Sequence, residues 1–187
     1  MMKDKPNQSE VWRLIPQGSV GVEIGVWRGD MSEKLLRNAD SLHLVDSWSV
    51  ESYCESDEFD DFDGYIKRYS GLVGSNDPAD FQRYYDSVYE SVVDRFNGEP
   101  VTIHRCSSDQ FFRDFDGLVD WVYVDGAHSY DGCLADLWGA ARIADCIYGD
   151  DYRSKPGVAA AVNEFIDKTG LELEWTDESM DGFKIGG

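Results

Sequence analysis

The sequence predicts a single doubly wound α/β domain: a mostly parallel sheet with helices on both faces. Three observations predict it. Short apolar, β-branched runs alternate with helix-like patterns, the first run empties into a glycine-bearing turn, and several runs end on an acid. The runs are SVGVEI (19–24), SLHLVD (41–46), VTIHR (101–105), LVDWVYVD (118–125), CIYGD (146–150), LELEWT (171–176) and GFKIG (182–186). Strands separated by helices must be joined by crossovers, and crossovers make parallel neighbours. A chain of 187 residues with 42% hydrophobic content is long enough for one buried core and short for two, so one domain spans 1–187.

The crossovers follow in order. DMSEKLLRN (30–38) offers Asp30 or Ser32 as an N-cap before an amphipathic turn. DPADFQRYYDSVYESVVDRF (77–96) reads as a helix. SYDGCLADLWGAARIA (129–144) starts on Ser129 and carries apolar residues at helical spacing. PGVAAAVNEFIDKTG (156–170) has Pro first and Gly last, the asymmetry of a helix. One insertion, residues 49–77, breaks the rhythm by mixing acids with Tyr53, Phe59, Phe62 and Tyr65. A connection of this length is either a lid or a disordered loop. FDDFDG within it fails as a calcium loop, because the first ligand position would be Phe59 and the twelfth Ser70.

Acids outnumber bases 37 to 17, for a formal net charge of −20. A nucleic-acid binder sets Lys and Arg against phosphates, so no nucleic acid and no anionic membrane surface is expected as partner. Cys54, Cys106, Cys133 and Cys146 show neither a C-x-x-C pair nor the density of a disulfide scaffold, so reduced thiols are expected. MMKDKPNQSE lacks the apolar core of a signal peptide and no stretch is long enough to span a bilayer, which together with the thiols points to a cytoplasmic chain.

In VEIGVWRGD, the first run reaches Glu23, then Gly25 and Gly29. Glycines there let the backbone approach a ligand at the C-terminal edge of the sheet. The spacing is not the dinucleotide G-x-G-x-x-G, and Glu23 would repel a pyrophosphate while suiting a cationic ligand. Asp46 ends the second run about 20 residues on, where an acid accepts hydrogen bonds from ribose hydroxyls. The competing account is an ordinary turn with a surface Glu and a capping Asp.

These residues resemble the class I S-adenosylmethionine-dependent methyltransferases, whose first motif is acid-x-Gly-x-x-x-Gly after strand one. LHLVDSW is similar to their second motif, with Asp46 as ribose acid. HRCSSDQFF (104–112) is similar to the segment that places a Ser and an Asp, here Ser108 and Asp109, near the adenine. DWVYVDGAHSYDGCLADLWGA, YGDDY and PGVAAAVNEF resemble a subfamily of small enzymes with a D-G-x-H-S-Y signature, akin to sugar and catechol O-methyltransferases. The resemblance runs from about residue 19 to the C-terminus. It implies a Rossmann-like class I fold, S-adenosylmethionine as cofactor and methyl transfer to an oxygen of a small hydroxylated, sugar-like acceptor. Two departures stand out: Ala144 and Asp145 occupy the place of a Pro-Gly-Gly turn, and the final strand ends at Gly187 without a further tail.

Asp125 ends the fourth run, and Asp150 and Asp151 end the fifth. If those strands are neighbours, three carboxylates meet, and a hard divalent ion, Mg²⁺, relieves their repulsion. In the resembling enzymes an acid and an acidic pair at these positions hold such an ion, so Asp125, Asp150 and Asp151 are the expected metal ligands. Capping of a turn, or pairing with Arg153 or Lys155, is the alternative role of the pair. His128 is open between proton acceptor, metal ligand and scaffold, and together with Asp125 it is the candidate catalytic group. Asp131 is expected to favour a helix dipole, and His43 and His104 to be satisfied near-core residues. Trp27 either flanks the cofactor or packs the first helix, and Trp48, Tyr53 and Tyr65 either wall the acceptor or pack a loop. A homo-oligomer is left open. The rival readings are a nicotinamide-dependent oxidoreductase, disfavoured by Glu23, and a cofactor-binding protein without catalysis.

Overall fold

Seven strands form one sheet in the computed structural model, which describes residues 10–56, 61–176 and 178–186. They are β1 (Ser19–Ile24), β2 (Ala39–Asp46), β3 (Val101–Arg105), β4 (Trp121–Val124), β5 (Cys146–Gly149), β6 (Leu173–Trp175) and β7 (Phe183–Gly186). Their order is β3-β2-β1-β4-β5-β7-β6. The first five are mutually parallel, and β7 enters antiparallel between β5 and β6. Each apolar run expected to be a strand is one: β1 and β3 keep the expected bounds, β2 begins two residues earlier, and the last four are trimmed.

The central strand β4 explains why such runs are apolar throughout. Trp121, Val122, Tyr123 and Val124 are all buried. Side chains alternate across a strand, so Trp121 and Tyr123 enter one core layer while Val122 and Val124 enter the other. Those layers are covered by α1 (Asp30–Leu35), α2 (Val50–Ser56), α3 (Phe62–Val73) and α4 (Pro78–Arg95) on one face, and by α5 (Ser108–Asp114), α6 (Tyr130–Ala140) and α7 (Pro156–Thr169) on the other. The chain is therefore doubly wound.

Capping follows local chemistry with one exception. Ser129 accepts from Gly132 N–H at 3.3 Å to start α6, and Asp77 accepts from Ala79 N–H at 2.9 Å ahead of Pro78 to start α4. Pro156 opens α7, and Gly170, at φ 70°, closes it. For α1 the expectation fails: neither Asp30 nor Ser32 caps it, and Gly29 holds the N-cap position at φ 78°. Ser32 is fully buried and donates to Glu23, a core-facing hydroxyl claimed by a buried carboxylate.

The insertion is helical where it is described. Phe62, Tyr65, Ile66, Tyr69 and Val73 line one face of α3 at helical spacing and pack on the core. Tyr65 is buried, and its hydroxyl meets that of Tyr85 on α4. The acids ahead of this helix and the glycines within it hid its periodicity. Phe59 lies outside the described residues. Where Ala144 and Asp145 replace a glycine turn, the helical bonding of α6 runs on, with Ile143 and Ala144 N–H both donating to Ala140 C=O at 3.0 Å. None of the four cysteines is in a disulfide. Among the described residues no helix is long and apolar enough to cross a membrane.

Candidate active site

The strand order sets β2, β1, β4 and β5 side by side, so residues leaving their C-terminal ends share one rim. Between β1 and β4 the winding direction reverses, the place where open α/β sheets bind ligands. The turn leaving β1 is wedged between its neighbours: Gly25 N–H donates to Val45 C=O at 2.9 Å, and Asp125 N–H donates to Ile24 C=O at 2.8 Å.

Glu23 stands on β1 between Leu44 and Tyr123 and is fully buried. One carboxylate oxygen accepts from Ser32, and the other, Oε1, has no partner among the described residues. Burial drives its pKa well above the usual carboxylate range; the Ser32 bond opposes this, while the charges of Asp125 and Asp46 add to it. A buried acid with a vacant acceptor atom and anionic neighbours suits a cationic guest.

Asp46 is turned inward over the glycine turn. Its Oδ2 accepts from Val26 N–H at 3.0 Å, Trp27 N–H at 2.9 Å and the Tyr53 hydroxyl at 2.8 Å, and its Oδ1 accepts from Trp48 N–H at 2.8 Å. Burial raises its pKa in spite of those four bonds. Trp27, Trp48 and Asp151, which follow β1, β2 and β5, all have left-handed backbones at φ 52°, 43° and 65°. For bulky or β-carbon-bearing residues that conformation costs about 1–3 kcal/mol each and is retained where the surroundings demand it. The Trp48 turn is held by Gln82, which donates to Trp48 C=O at 3.0 Å, and by Arg105, which also pairs with Asp86 and lies over the Tyr89 ring.

On the other half of the rim, His128 Nε2 lies 3.0 Å from Asp151 Oδ2. Ser154 Oγ donates to Asp151 Oδ1 at 2.6 Å. Burial alone would raise the Asp151 pKa, but the His128 and Ser154 bonds and the charges of His128 and Lys155 outweigh it and hold it at about 2. Asp125, His128 and Asp151 each present a ligand atom, all within 4.8 Å of one another. Asp150, expected beside them, uses Oδ1 to accept the Asp151 N–H at 2.9 Å. The trio brought together is thus two acids and an imidazole, where three acids had been expected.

The segment after β3 divides. Ser107 caps α5, accepting from Gln110 N–H at 3.2 Å. Ser108 donates to Asp136 on α6, while the Asp109 side chain is 84% exposed and pairs with Arg113 at 3.3 Å. His43 and His104 pair through Nδ1 and Nε2 at 3.0 Å beside Phe111, as near-core residues. Trp27 packs edge-on against Tyr53 and Tyr85, and Tyr53 stacks on Tyr85 at 4.7 Å.

Sequence reasoning passed over Asp136. It is fully buried, bonded to Ser108 and to the Ala127 amide, with Oδ2 unpartnered among the described residues. The available signal was an acid inside the apolar helical run CLADLWGA. Burial raises its pKa from 3.8 to about 6, against the two hydrogen bonds. The folded state therefore holds the proton more tightly than the unfolded chain. The associated stability is full below about pH 4 and is lost as pH rises through about 6. Asp136→Asn is expected to flatten that loss and to be about 3 kcal/mol more stable than wild type at about pH 8, read by urea denaturation across pH.

A doubly wound sheet of this order, with an acid and glycine turn after β1 and an acid closing β2, is the class I methyltransferase fold. Residues 22–145 match the family described as a methyltransferase domain, and the chain belongs to that family: it is an S-adenosylmethionine-dependent methyltransferase. No curated protein matches it in sequence. Among solved structures it resembles SMU.1697c of Streptococcus mutans in complex with SAH, at 8% identity and TM-score 0.57, over 93% of this chain and 90% of that one. It resembles the O-methyltransferase NovP at 21% identity and TM-score 0.53, over 94% and 74%. Fibrillarin of Aeropyrum pernix with natively bound S-adenosyl-L-methionine aligns at 11% identity and TM-score 0.54, over 91% and 66%. These likenesses carry the fold.

Proposed function

We propose that this enzyme methylates a hydroxyl oxygen of a small, polyhydroxylated, sugar-like acceptor, with His128 as the proton acceptor. The observation that carries the reading is the His128–Asp151 pair, 3.0 Å apart, on the rim that also bears Glu23 and Asp46. Glu23, Gly25 and Gly29 shape the methionine end of the cofactor site, Asp46 addresses the ribose, and Ser108 and Asp109 lie toward the adenine. The fit to a cationic cofactor rests on the vacant Oε1 of Glu23. When bound, S-adenosylmethionine supplies an electrophilic methyl group on a sulfonium.

Asp151, a carboxylate at any working pH, fixes the imidazole by accepting from Nε2–H, so that the neutral ring carries its lone pair on Nδ1, the atom assigned here to take the acceptor's hydroxyl proton. NovP is an O-methyltransferase, which agrees with an oxygen acceptor. The net charge of −20 weighs against a nucleic-acid acceptor.

A second reading is favoured by the 4.8 Å grouping of Asp125, His128 and Asp151, which suits a divalent ion. Mg²⁺ fits the two acids, and the imidazole extends the set to ions such as Mn²⁺ and Zn²⁺. Such an ion supplies positive charge that acidifies a nearby hydroxyl. His128 is then a ligand, and Asp150, whose Oδ1 accepts the Asp151 amide, has its second oxygen to offer.

The test incubates the protein with S-adenosylmethionine and a panel of sugars and catechols, and follows release of S-adenosylhomocysteine. Turnover that survives EDTA is the expected result. Loss under EDTA with rescue by Mg²⁺ or Mn²⁺ would reassign His128 to the ion. Saturable binding of NAD with none of S-adenosylhomocysteine would overturn both readings.

A further inference from the structure

The ribose-binding role given to Asp46 conflicts with its surroundings. A carboxylate has about four lone-pair sites, and Asp46 already receives four donors. Three of them crowd Oδ2, which leaves at most one open direction on Oδ1, whereas a ribose diol offers two hydroxyls. Three of the four donors, Val26, Trp27 and Trp48 N–H, are main-chain groups of the turns after β1 and β2 and cannot be withdrawn without unmaking those turns. Only the Tyr53 hydroxyl belongs to a side chain on a separate element, α2, so it is the one of the four donors whose displacement leaves both turns intact. Its ring is stacked flat on Tyr85 and meets Trp27 edge-on, so the phenol is held over the glycine turn.

We propose that Tyr53 is a competitor for the cofactor: its hydroxyl occupies the acceptor position on Asp46 Oδ2 that a ribose hydroxyl must take, and cofactor binding proceeds by displacing it. The proposal rests on the cofactor reading of Asp46 given above. It makes Tyr53 an affinity-setting residue whose removal helps binding, the opposite of what a cofactor contact would do. Trading a phenol bond for a ribose bond on one carboxylate leaves little net gain. Removing the phenol returns the value of a bond to a charged acceptor.

The test is calorimetric titration of wild type and Tyr53→Phe, which keeps the stacked ring, with S-adenosylhomocysteine, adenosine and 2′,3′-dideoxyadenosine. Tyr53→Phe is expected to bind the first two about tenfold more tightly and to leave dideoxyadenosine unchanged. Unchanged or weakened binding of S-adenosylhomocysteine overturns the proposal, as does an equal gain for dideoxyadenosine, which would place the effect away from the ribose. Asp46→Asn separates the two levels of inference. If it binds S-adenosylhomocysteine as wild type does, or if no form binds it, the cofactor reading of Asp46 is wrong and the Tyr53 proposal falls with it. If Asp46→Asn loses binding while Tyr53→Phe shows no gain, the reading stands and the Tyr53 proposal alone fails.

Discussion

Gly25→Ala is expected to unfold the rim or the whole domain. Gly25 sits at φ 90°, and a β-carbon built there falls 2.1 Å from the Asp125 carbonyl oxygen and 2.7 Å from the Gly126 α-carbon. Both obstacles are backbone, so no side chain can swing away. The left-handed conformation alone costs a residue with a β-carbon about 1–2 kcal/mol, and the overlap forces β1 and β4 apart at the end where Asp125 N–H bonds Ile24 C=O. The expected loss is about 3 kcal/mol or more of stability. Any folded fraction is expected to bind S-adenosylhomocysteine more than about tenfold more weakly, because Val26 and Trp27 would be carried off Asp46. Gly71→Ala, in α3 with open space around its site, is the matched control and should stabilise by about 0.5–1 kcal/mol. Urea denaturation and calorimetry on the two variants read the difference.

The second large effect is expected at His128. His128→Ala should lower kcat by about 10²- to 10⁴-fold, the usual worth of a positioned proton acceptor, with cofactor affinity unchanged. Affinity should hold because the residues proposed to meet the cofactor, Glu23 and Asp46, stand on β1 and β2, whereas His128 follows β4. Asp151→Asn should give a smaller loss in kcat. The amide can still accept from Nε2–H, but it no longer offers a full negative charge to the imidazolium formed on proton uptake. In wild type Asp151 is depressed to about 2, so across ordinary assay pH it does not titrate, and an acid limb in the rate profile belongs to another group. Steady-state rates with one hydroxylated acceptor, alongside S-adenosylhomocysteine titration of each variant, separate chemistry from binding. Equal losses in kcat and in cofactor affinity would contradict the assignment.

Strand and crossover positions were legible because burial on both faces leaves one composition: β4 had to be apolar at every position, and Ser129, Pro156 and Gly170 announce helix ends by local chemistry. Helices α2 and α3 were not legible, since the acids ahead of Tyr65 and the glycines Gly64, Gly71 and Gly74 masked an apolar face that shows only when α4 lies against it. At the rim, Glu23, Asp46, Asp125 and Asp151 could be named from their place at run ends. Their partners could not. Ser32 looks like a cap and instead bonds Glu23, Asp150 accepts its neighbour's amide, and Asp136 gives little outward sign of its burial.

By itself the sequence determined the alternation of strands and helices and the acid and glycines of the first turn, because periodicity and turn chemistry are local properties of the chain, and its resemblance to the class I methyltransferases added the class of enzyme. Only the tertiary structure decided which oxygen of each acid is taken and by what. Hydrogen-bond partners such as Tyr53 for Asp46 and His128 for Asp151 lie on different elements, and their meeting depends on how strands and helices pack in space.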